Sequence, residues 1–425
     1  MKDKVHTCRV NPAILFSALD RGEGEVYIAS RTYNVARSGE RMKKRDGAHG
    51  MNRRDFLKVG MTGAAASLAF AGVTGFGRAE PAETLVYRTL GRTGLKITTL
   101  SFGAMLTPEY EVIRAGLDMG INYVDTARRY LNGRSEAIVG RALKGVRDKV
   151  YVATKTKPDS NTRDAIMKDV ETSLENLGTD HIDVIQLHNL DNPKRAFIPE
   201  VREAYVKLRQ EGKVRFFGVT THTNQAEVIN AVVDDPDKFF DTVLVAYNMK
   251  SEPTVKQAIA RAKGAGIGVV AMKIQAGSYR REEAQPISPE QAAAAMKWVL
   301  QDTNVTTVIA GMKTLEHVKQ MMPVMGMKLT SADARIVQRY SQAIDTYYCR
   351  LCAKCEPTCP KGVEISVVNR ALMYAQGYGE YSLAKATFFE AAGATLCSTC
   401  TGCVARCVNG LNIAGKMQQA GSLFT

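Results

Sequence analysis

The chain has 425 residues, 45% hydrophobic and 24% charged, which excludes a disordered or fibrous protein and leaves room for one large domain plus a smaller one. Its net charge of +14 is uneven: residues 1–50 hold ten Lys/Arg against six acids, residues 51–78 four against one, and +7 remains for the rest. No basic helix face or nucleic-acid module accompanies that excess, so nucleic acid is not an expected partner.

Residues 1–50 show no sustained helical or strand period and are expected to be an artefact of start-site choice ahead of a true start at Met51, or a disordered extension. After Asn52 comes Arg53-Arg54-Asp55-Phe56-Leu57-Lys58, followed by a Gly/Ala-rich, weakly apolar run from Val59 to Gly77. Residues 51–79 resemble a twin-arginine export signal, with cleavage expected after Ala79. The run nearly reaches a membrane span, so an uncleaved anchor is the alternative, although its Gly and Ala content makes a poor stop-transfer sequence. The expected location is periplasmic or exported, with the twin-arginine translocase as a partner.

From residue 97 the chain alternates short apolar runs with amphipathic stretches. Strands are expected at 97–103, 121–125, 150–155, 183–188, 215–220, 242–247, 268–273 and 305–311. Helices are expected at 135–143, 163–177, 199–211, 253–265 and 289–301. Strands separated by helices imply right-handed crossovers and a parallel sheet, and eight such units close a (β/α)8 TIM barrel. An open doubly wound sheet would announce a G-x-G-x-x-G loop after its first strand. Ser101-Phe102-Gly103-Ala104 offers none.

A barrel places its chemistry at the C-terminal strand ends. Asp125, Lys155 and His188 end the second, third and fourth predicted strands, and Tyr130 lies in the loop after the second. Singly, Asp125 could cap a helix, Tyr130 edge the core and His188 be a satisfied core histidine. Lys155 is different, because an ammonium ending Val150-Tyr151-Val152-Ala153 needs a counter-ion, and Asp125 on the next strand supplies one. Together the four form a proton-donating device: the ammonium is expected to lower the Tyr130 pKa towards neutrality, and the imidazole to orient a carbonyl oxygen.

These stretches resemble the aldo-keto reductase family: YRTLGRTGLKITTLSFG (87–103), INYVDTARRY (121–130), GRSEAIVGRALKG (133–145), VYVATK (150–155), DVIQLH (183–188), GKVRFFGV (212–219) and WVLQDTNVTTVIAGM (298–312). The resemblance implies a barrel over 85–328, a nicotinamide cofactor, NAD(P)(H), a small carbonyl or alcohol substrate, and Asp125, Tyr130, Lys155 and His188 as the catalytic tetrad. On the cofactor side the chain departs from the family. Thr220-Thr221 stand where Ser-Asn is usual, and Leu244 where an amide is. Met272, followed by Lys273, replaces the aromatic that stacks on nicotinamide. Beyond Gly311, His317 and Met321 replace the usual Arg and Asn, which leaves Lys313 as the nearest firm cation for a 2′-phosphate.

Of nine cysteines, Cys8 stands alone and eight fall near the C-terminus. CRLCAKCEPTCP supplies Cys349, Cys352, Cys355 and Cys359, and CSTCTGCVARC supplies Cys397, Cys400, Cys403 and Cys407, with Val408 in place of Pro. The triple C-x2-C-x2-C spacing favours two [4Fe–4S] clusters over zinc or disulfides. This tail, 329–425, resembles the two-cluster ferredoxin module appended to one branch of the aldo-keto reductases. Its stretch 363–392 is expected to be helical, and spacing leaves open whether the fourth cysteines exchange between clusters. Clusters assembled in the cytoplasm explain export after folding, since unfolded export would deliver eight thiols to an oxidising compartment.

Three functions fit: an exported oxidoreductase of aldo-keto reductase type coupled through its clusters to a redox protein or quinone, a nicotinamide-dependent carbonyl reductase with structural clusters, and a non-catalytic electron-transfer or sensor subunit. An intact tetrad disfavours the third.

Overall fold

Eight parallel strands close into a barrel in chain order: β1 (Leu100–Gly103), β2 (Tyr123–Asp125), β3 (Tyr151–Lys155), β4 (Ile182–Leu187), β5 (Val214–Thr221), β6 (Thr242–Ala246), β7 (Gly268–Met272) and β8 (Thr307–Ala310), with β8 pairing back onto β1. The computed structural model describes residues 85–278, 287–400 and 402–425. All of them belong to the second of two units, Arg78–Thr425. The twin-arginine stretch, its cleavage point and the 1–50 extension lie outside the described residues. Among the described residues no helix is long and apolar enough to cross a membrane.

The strands are mainly apolar and buried on both faces, as a parallel sheet covered by helices requires, with Arg215 of β5 exposed. Seven helices cross between them: α1 (Tyr110–Asp118), α2 (Ser135–Leu143), α3 (Arg163–Leu177), α4 (Pro199–Gln210), α5 (Gln225–Val233), α6 (Pro253–Gly264) and α7 (Pro289–Leu300). Three of these helices begin with Pro at the first turn, and α3 and α7 begin with Thr162 and Ser288 accepting hydrogen bonds from the first-turn amides of Ala165 and Gln291. The main core lies between helices and strands, and a smaller one fills the barrel interior with Tyr123, Val184, Leu244 and Val270.

One predicted strand divides in two. Residues 97–103 were expected as a single strand, but Lys96–Thr98 pairs with Tyr87–Thr89 in an antiparallel hairpin, and only Leu100–Gly103 enters the barrel. Leu90, Leu95 and Ile97 of that hairpin join the interior core. The run 97–103 is buried throughout and carries no Gly, Pro, Asn or Asp before Gly103, so it gives no sign of this change of partner.

After β8 the chain runs through α8 (Leu315–Met321) and α9 (Ser331–Ala343) to the helical tail, α10 (Ile365–Gln376), α11 (Tyr381–Glu390) and α12 (Ile413–Phe424). The helical stretch expected at 363–392 is therefore two helices, α10 and α11, broken at Gly377–Glu380. The tail has its own core, built on Tyr340, Val368, Leu372, Phe388 and Phe424, and Met105, Met249 and Ala276 of the barrel loops pack into it. Gly377 rests so closely on the carbonyl of Gly277 that a Cβ there would collide with it. The tail thus covers part of the barrel face where the strands end.

Candidate active site and metal centres

Strand register assembles the tetrad. Asp125 pairs with Ala153 across β2 and β3, and Lys155, two residues on, points to the same face. Lys155 Nζ donates to Asp125 Oδ1 at 2.5 Å and to the Thr126 carbonyl at 2.6 Å. Gln186, opposite Lys155 on β4, donates to Asp125 Oδ2 at 2.9 Å. Both partners of the ion pair are fully buried, and burial draws each towards its neutral form while their mutual attraction holds them charged.

Tyr130 opens a short 3-10 turn (Tyr130–Gly133) whose Leu131 and Asn132 take left-handed backbone, which turns the phenol back over the barrel. The Lys155 ammonium lies 4.6 Å from the centroid of its ring, and the His188 ring meets it edge-on at 5.8 Å. His188 immediately follows β4, and its backbone carbonyl accepts a 2.8 Å hydrogen bond from Arg195. Its Nδ1 is buried and has no partner among the described residues. Burial, Lys155 and several arginines push its pKa well below the usual imidazole range, so it is neutral at pH 7.

The Tyr130 pKa contradicts the sequence-based expectation. Burial first, then the Asp125 carboxylate, push the phenol well above its ordinary value, and Arg370 only partly opposes them. Desolvation and the Asp125 charge together outweigh the opposing guanidinium of Arg370.

Met272, Lys273, Gly311, Lys313 and His317 line one cavity of about 280 Å³ together with Asp125 and Tyr130. Thr220 and Thr221 do not reach it. Thr220 Oγ1 instead accepts from the Asn189 amide at 2.7 Å, and Thr221 Oγ1 donates to the Thr223 carbonyl at 2.7 Å, so both brace the loops after β4 and β5. Lys313 donates to Glu380 of the tail at 3.0 Å and to the Tyr378 carbonyl at 3.2 Å. His317 accepts at Nδ1 from the Lys313 amide. Lys273 lies 4.7 Å and 4.9 Å from the ring centroids of Tyr374 and Tyr378, and burial with Arg370 and Lys155 lowers its pKa to about 7.

A second cleft, of about 50 Å³, shares Tyr130 and Met105 with the first and is lined also by His188, Asn189, His222, Arg370 and Tyr374. Arg370 and Tyr374 come from α10, in the tail. Sequence reasoning missed both, although a lone Arg in the apolar run Ile365–Gln376 was a legible signal. It also missed Asn189, whose Oδ1 is met by His222 Nδ1 at 2.8 Å and by Arg370 Nη1.

The eight tail thiols form two sets, and the fourth cysteines exchange. Cys349, Cys352, Cys355 and Cys407 surround one narrow cavity of about 20 Å³, while Cys359, Cys397, Cys400 and Cys403 line another of about 650 Å³. Leu351 and Ala353 take left-handed backbone, which winds the first loop around its thiols, and the amides of Leu351 and Asn409 donate to Cys349 and Cys407 Sγ at 3.4 Å each. Among the described residues no cluster of His, Cys, Asp or Glu suits a single metal ion. Two sets of four thiols at this spacing, with amides donating to Cys349 and Cys407 in the first, suit iron–sulfur clusters.

Comparison with known proteins agrees with this geometry. Residues 105–293 match the Aldo/keto reductase family, and residues 348–412 match a 4Fe-4S dicluster domain. The chain is 26% identical to L-galactose dehydrogenase of Arabidopsis thaliana over 275 residues, 55% of this chain and 86% of that protein. It is 36% identical to aldo-keto reductase YhdN of Bacillus subtilis over 168 residues, 34% of this chain and 50% of that protein. The crystal structure of an aldo-keto reductase from Klebsiella pneumoniae in complex with NADPH superposes with a TM-score of 0.51 at 25% identity, covering 60% of this chain and 96% of that one. The barrel thus matches the Aldo/keto reductase family, with a match to a 4Fe-4S dicluster domain behind it, and the protein is an oxidoreductase.

Proposed function

We propose that the rim interconverts a carbonyl and an alcohol, with Tyr130 giving and taking the proton. The observation that carries this is a buried phenol held between a carboxylate-paired ammonium, Lys155, and an imidazole whose Nδ1 lacks a partner among the described residues. In reduction the carbonyl carbon gains a hydride and the oxygen a proton. An alkoxide is more basic than a phenolate, so a phenol with a raised pKa stays protonated at neutral pH and still gives up its proton as the alkoxide forms. The phenolate that results faces Lys155, an attraction absent from the ground state, so it lowers the barrier without tightening substrate binding. Neutral His188 can hydrogen-bond the carbonyl oxygen without adding charge.

A nicotinamide, when bound, supplies the hydride. The larger cavity suits its ring end, because Met272 and Gly311 wall a space that Tyr130 and Asp125 also line. It suits a 2′-phosphate poorly, since Lys313 is already engaged by Glu380. NADH is therefore expected to serve at least as well as NADPH.

Two [4Fe–4S] clusters, about eight irons per chain, complete the protein. Ile365 at the start of α10 lines both thiol cavities, and Tyr374 of the same helix lines the tetrad cleft. At 1.5 Å per residue the two lie roughly 13 Å apart along the helix, which supports redox coupling to a one-electron partner, a redox protein or a quinone. Structural clusters are the second reading, favoured by Cys355 and its neighbouring thiols packing into the tail core. Export by the twin-arginine translocase to the periplasm, with a membrane anchor if the signal stays uncleaved, rests on Arg53-Arg54. Replacing both with Lys should retain the protein in the cytoplasm, and unchanged fractionation would remove the proposal.

The deciding experiment uses anaerobically purified protein with its iron counted and its nucleotide or flavin identified by extraction and mass spectrometry. Aldehydes and ketones are then offered with NADH, NADPH or reduced viologen. Turnover with a nicotinamide is expected. Turnover with viologen alone would make the clusters the donor, and none with any donor would leave an electron-transfer or sensor role.

A further inference from the structure

The cleft beneath α10 has a charge excess that the protein does not balance. Arg370 is 4% exposed and donates to the Asn189 side-chain oxygen, yet it forms no ion pair among the described residues. The other charges nearby are matched: Lys155 by Asp125, and Arg129 by Glu390. Burying a guanidinium without a counter-ion is costly, and such an arrangement persists where a ligand supplies the anion.

We propose that this cleft binds a short 2-oxo acid or 2-hydroxy acid, with the carboxylate on Arg370 and the reacting carbon beside Tyr130 and His188. Three observations converge. Arg370, Tyr130 and His188 line the same cleft. His188 is 8% exposed and lines the cleft with its ring edge-on to Tyr130 at 5.8 Å, which sets a polar side chain beside the reacting position. The cleft offers about 50 Å³, and since a water takes roughly 10–15 Å³ on such a measure, it holds a group of only a few non-hydrogen atoms. A 2-oxo acid joins its carboxylate directly to its carbonyl carbon, which suits so small a space. Guanidinium also binds carboxylate in a planar, two-pronged fashion that an ammonium cannot reproduce. The iron–sulfur domain then selects the substrate as well as carrying the clusters.

This inference rests on the carbonyl–alcohol reading above. The carbonyl carbon gains a hydride, the C=O double bond opens, its oxygen takes the Tyr130 proton, and a reduced nicotinamide is oxidised.

The test is calorimetry on full-length, anaerobically prepared protein, with pyruvate against its neutral isostere pyruvamide. Wild type should bind pyruvate about tenfold to a hundredfold more tightly, the span of a charge-assisted hydrogen bond. Arg370→Met should abolish that preference and leave pyruvamide within twofold, and Arg370→Lys should restore only part of it. Equal affinities in wild type, or binding of neither, overturn the proposal without any variant. Loss of both ligands equally in Arg370→Met with iron content intact would also overturn it. Tyr130→Phe separates the two ideas, because it should retain pyruvate affinity while losing turnover. Tyr130-dependent turnover of neutral ketones without a carboxylate preference defeats this inference alone. Normal turnover in Tyr130→Phe defeats the catalytic reading instead.

Discussion

The two sides of the barrel rim are built differently. Over β2 to β4 the Lys155 ammonium is answered by residues of the barrel itself: Asp125 answers it, Gln186 braces Asp125, and the buried Glu136 of α2 receives Thr154 at 2.7 Å and Arg128 at 2.9 Å just behind. Over β7 and β8 the partners come from the tail. Lys313 is taken by Glu380, Lys273 is sandwiched by Tyr374 and Tyr378, and Gly377 closes on Gly277. The Lys155–Asp125 pair is thus self-contained in the barrel, while over β7 and β8 the walls are rebuilt by the tail, which also lends Arg370 and Tyr374 to the cleft beside Tyr130.

The self-contained side should fail hardest when broken. Tyr130→Phe is expected to cut carbonyl turnover by roughly two to four orders of magnitude, with ligand affinity nearly unchanged, since only a proton donor is lost. Lys155→Met should do comparable damage and also destabilise the protein, because Asp125 becomes an unpaired buried carboxylate. In the double variant the losses should not add, as both act on one proton transfer. Stopped-flow kinetics on variants with full iron content measures all three. Additive losses would mean that Lys155 works through something other than Tyr130.

That side was legible in the sequence because strand order and alternation put Asp125, Lys155 and His188 at neighbouring strand ends. The Tyr130 pKa was not legible, since its sign depends on how deeply the folded protein buries the phenol. Arg370 stood out as a lone charge in its helix, but that it and Tyr374 belong to the site was not legible, for a related reason. They sit roughly 180 residues beyond His188, and no local period says where a tail helix docks. The hairpin at Lys96–Thr98 escaped because no turn residue separates it from β1.

On the rebuilt side, effects should be smaller. Glu380→Gln releases Lys313, and since that ion pair is partly exposed it should shift the NADPH-to-NADH affinity ratio by only about two- to fivefold. Fluorescence titration of both nucleotides reads the ratio, and no change would remove Lys313 from phosphate recognition. In the tail itself, Cys407→Ala should lower iron from about eight to about four per chain. It should leave the same electron paramagnetic resonance signal as Cys352→Ala, because both belong to the first thiol set. A match to Cys400→Ala instead would undo the crossed assignment.

The smallest effect concerns Lys273 and shows which side bears the electrostatic cost. Burial comes first among the causes of its lowered pKa, followed by the charges of Arg370 and Lys155, and these outweigh the attraction of the two tyrosine rings that flank it. Met105 Sδ, 3.9 Å away, offers little. Its folded pKa is about 7, against about 10.4 in an unfolded chain. Between those values the unfolded state binds a proton that the folded state does not, so this residue makes stability rise with pH across that window. Below about pH 7 both states are charged, and folding bears the full cost of the buried ammonium. Lys273→Met removes that cost, so the variant should melt higher than wild type at pH 6.5, by about 2–4 °C for each kcal/mol recovered in a domain of this size. The gap should narrow steadily towards pH 9.5. Anaerobic melts at one scan rate, with pH stepped between those limits, test it. A gap that stays constant with pH would show that Lys273 keeps its charge throughout, held by the rings rather than forced towards neutrality by its neighbours.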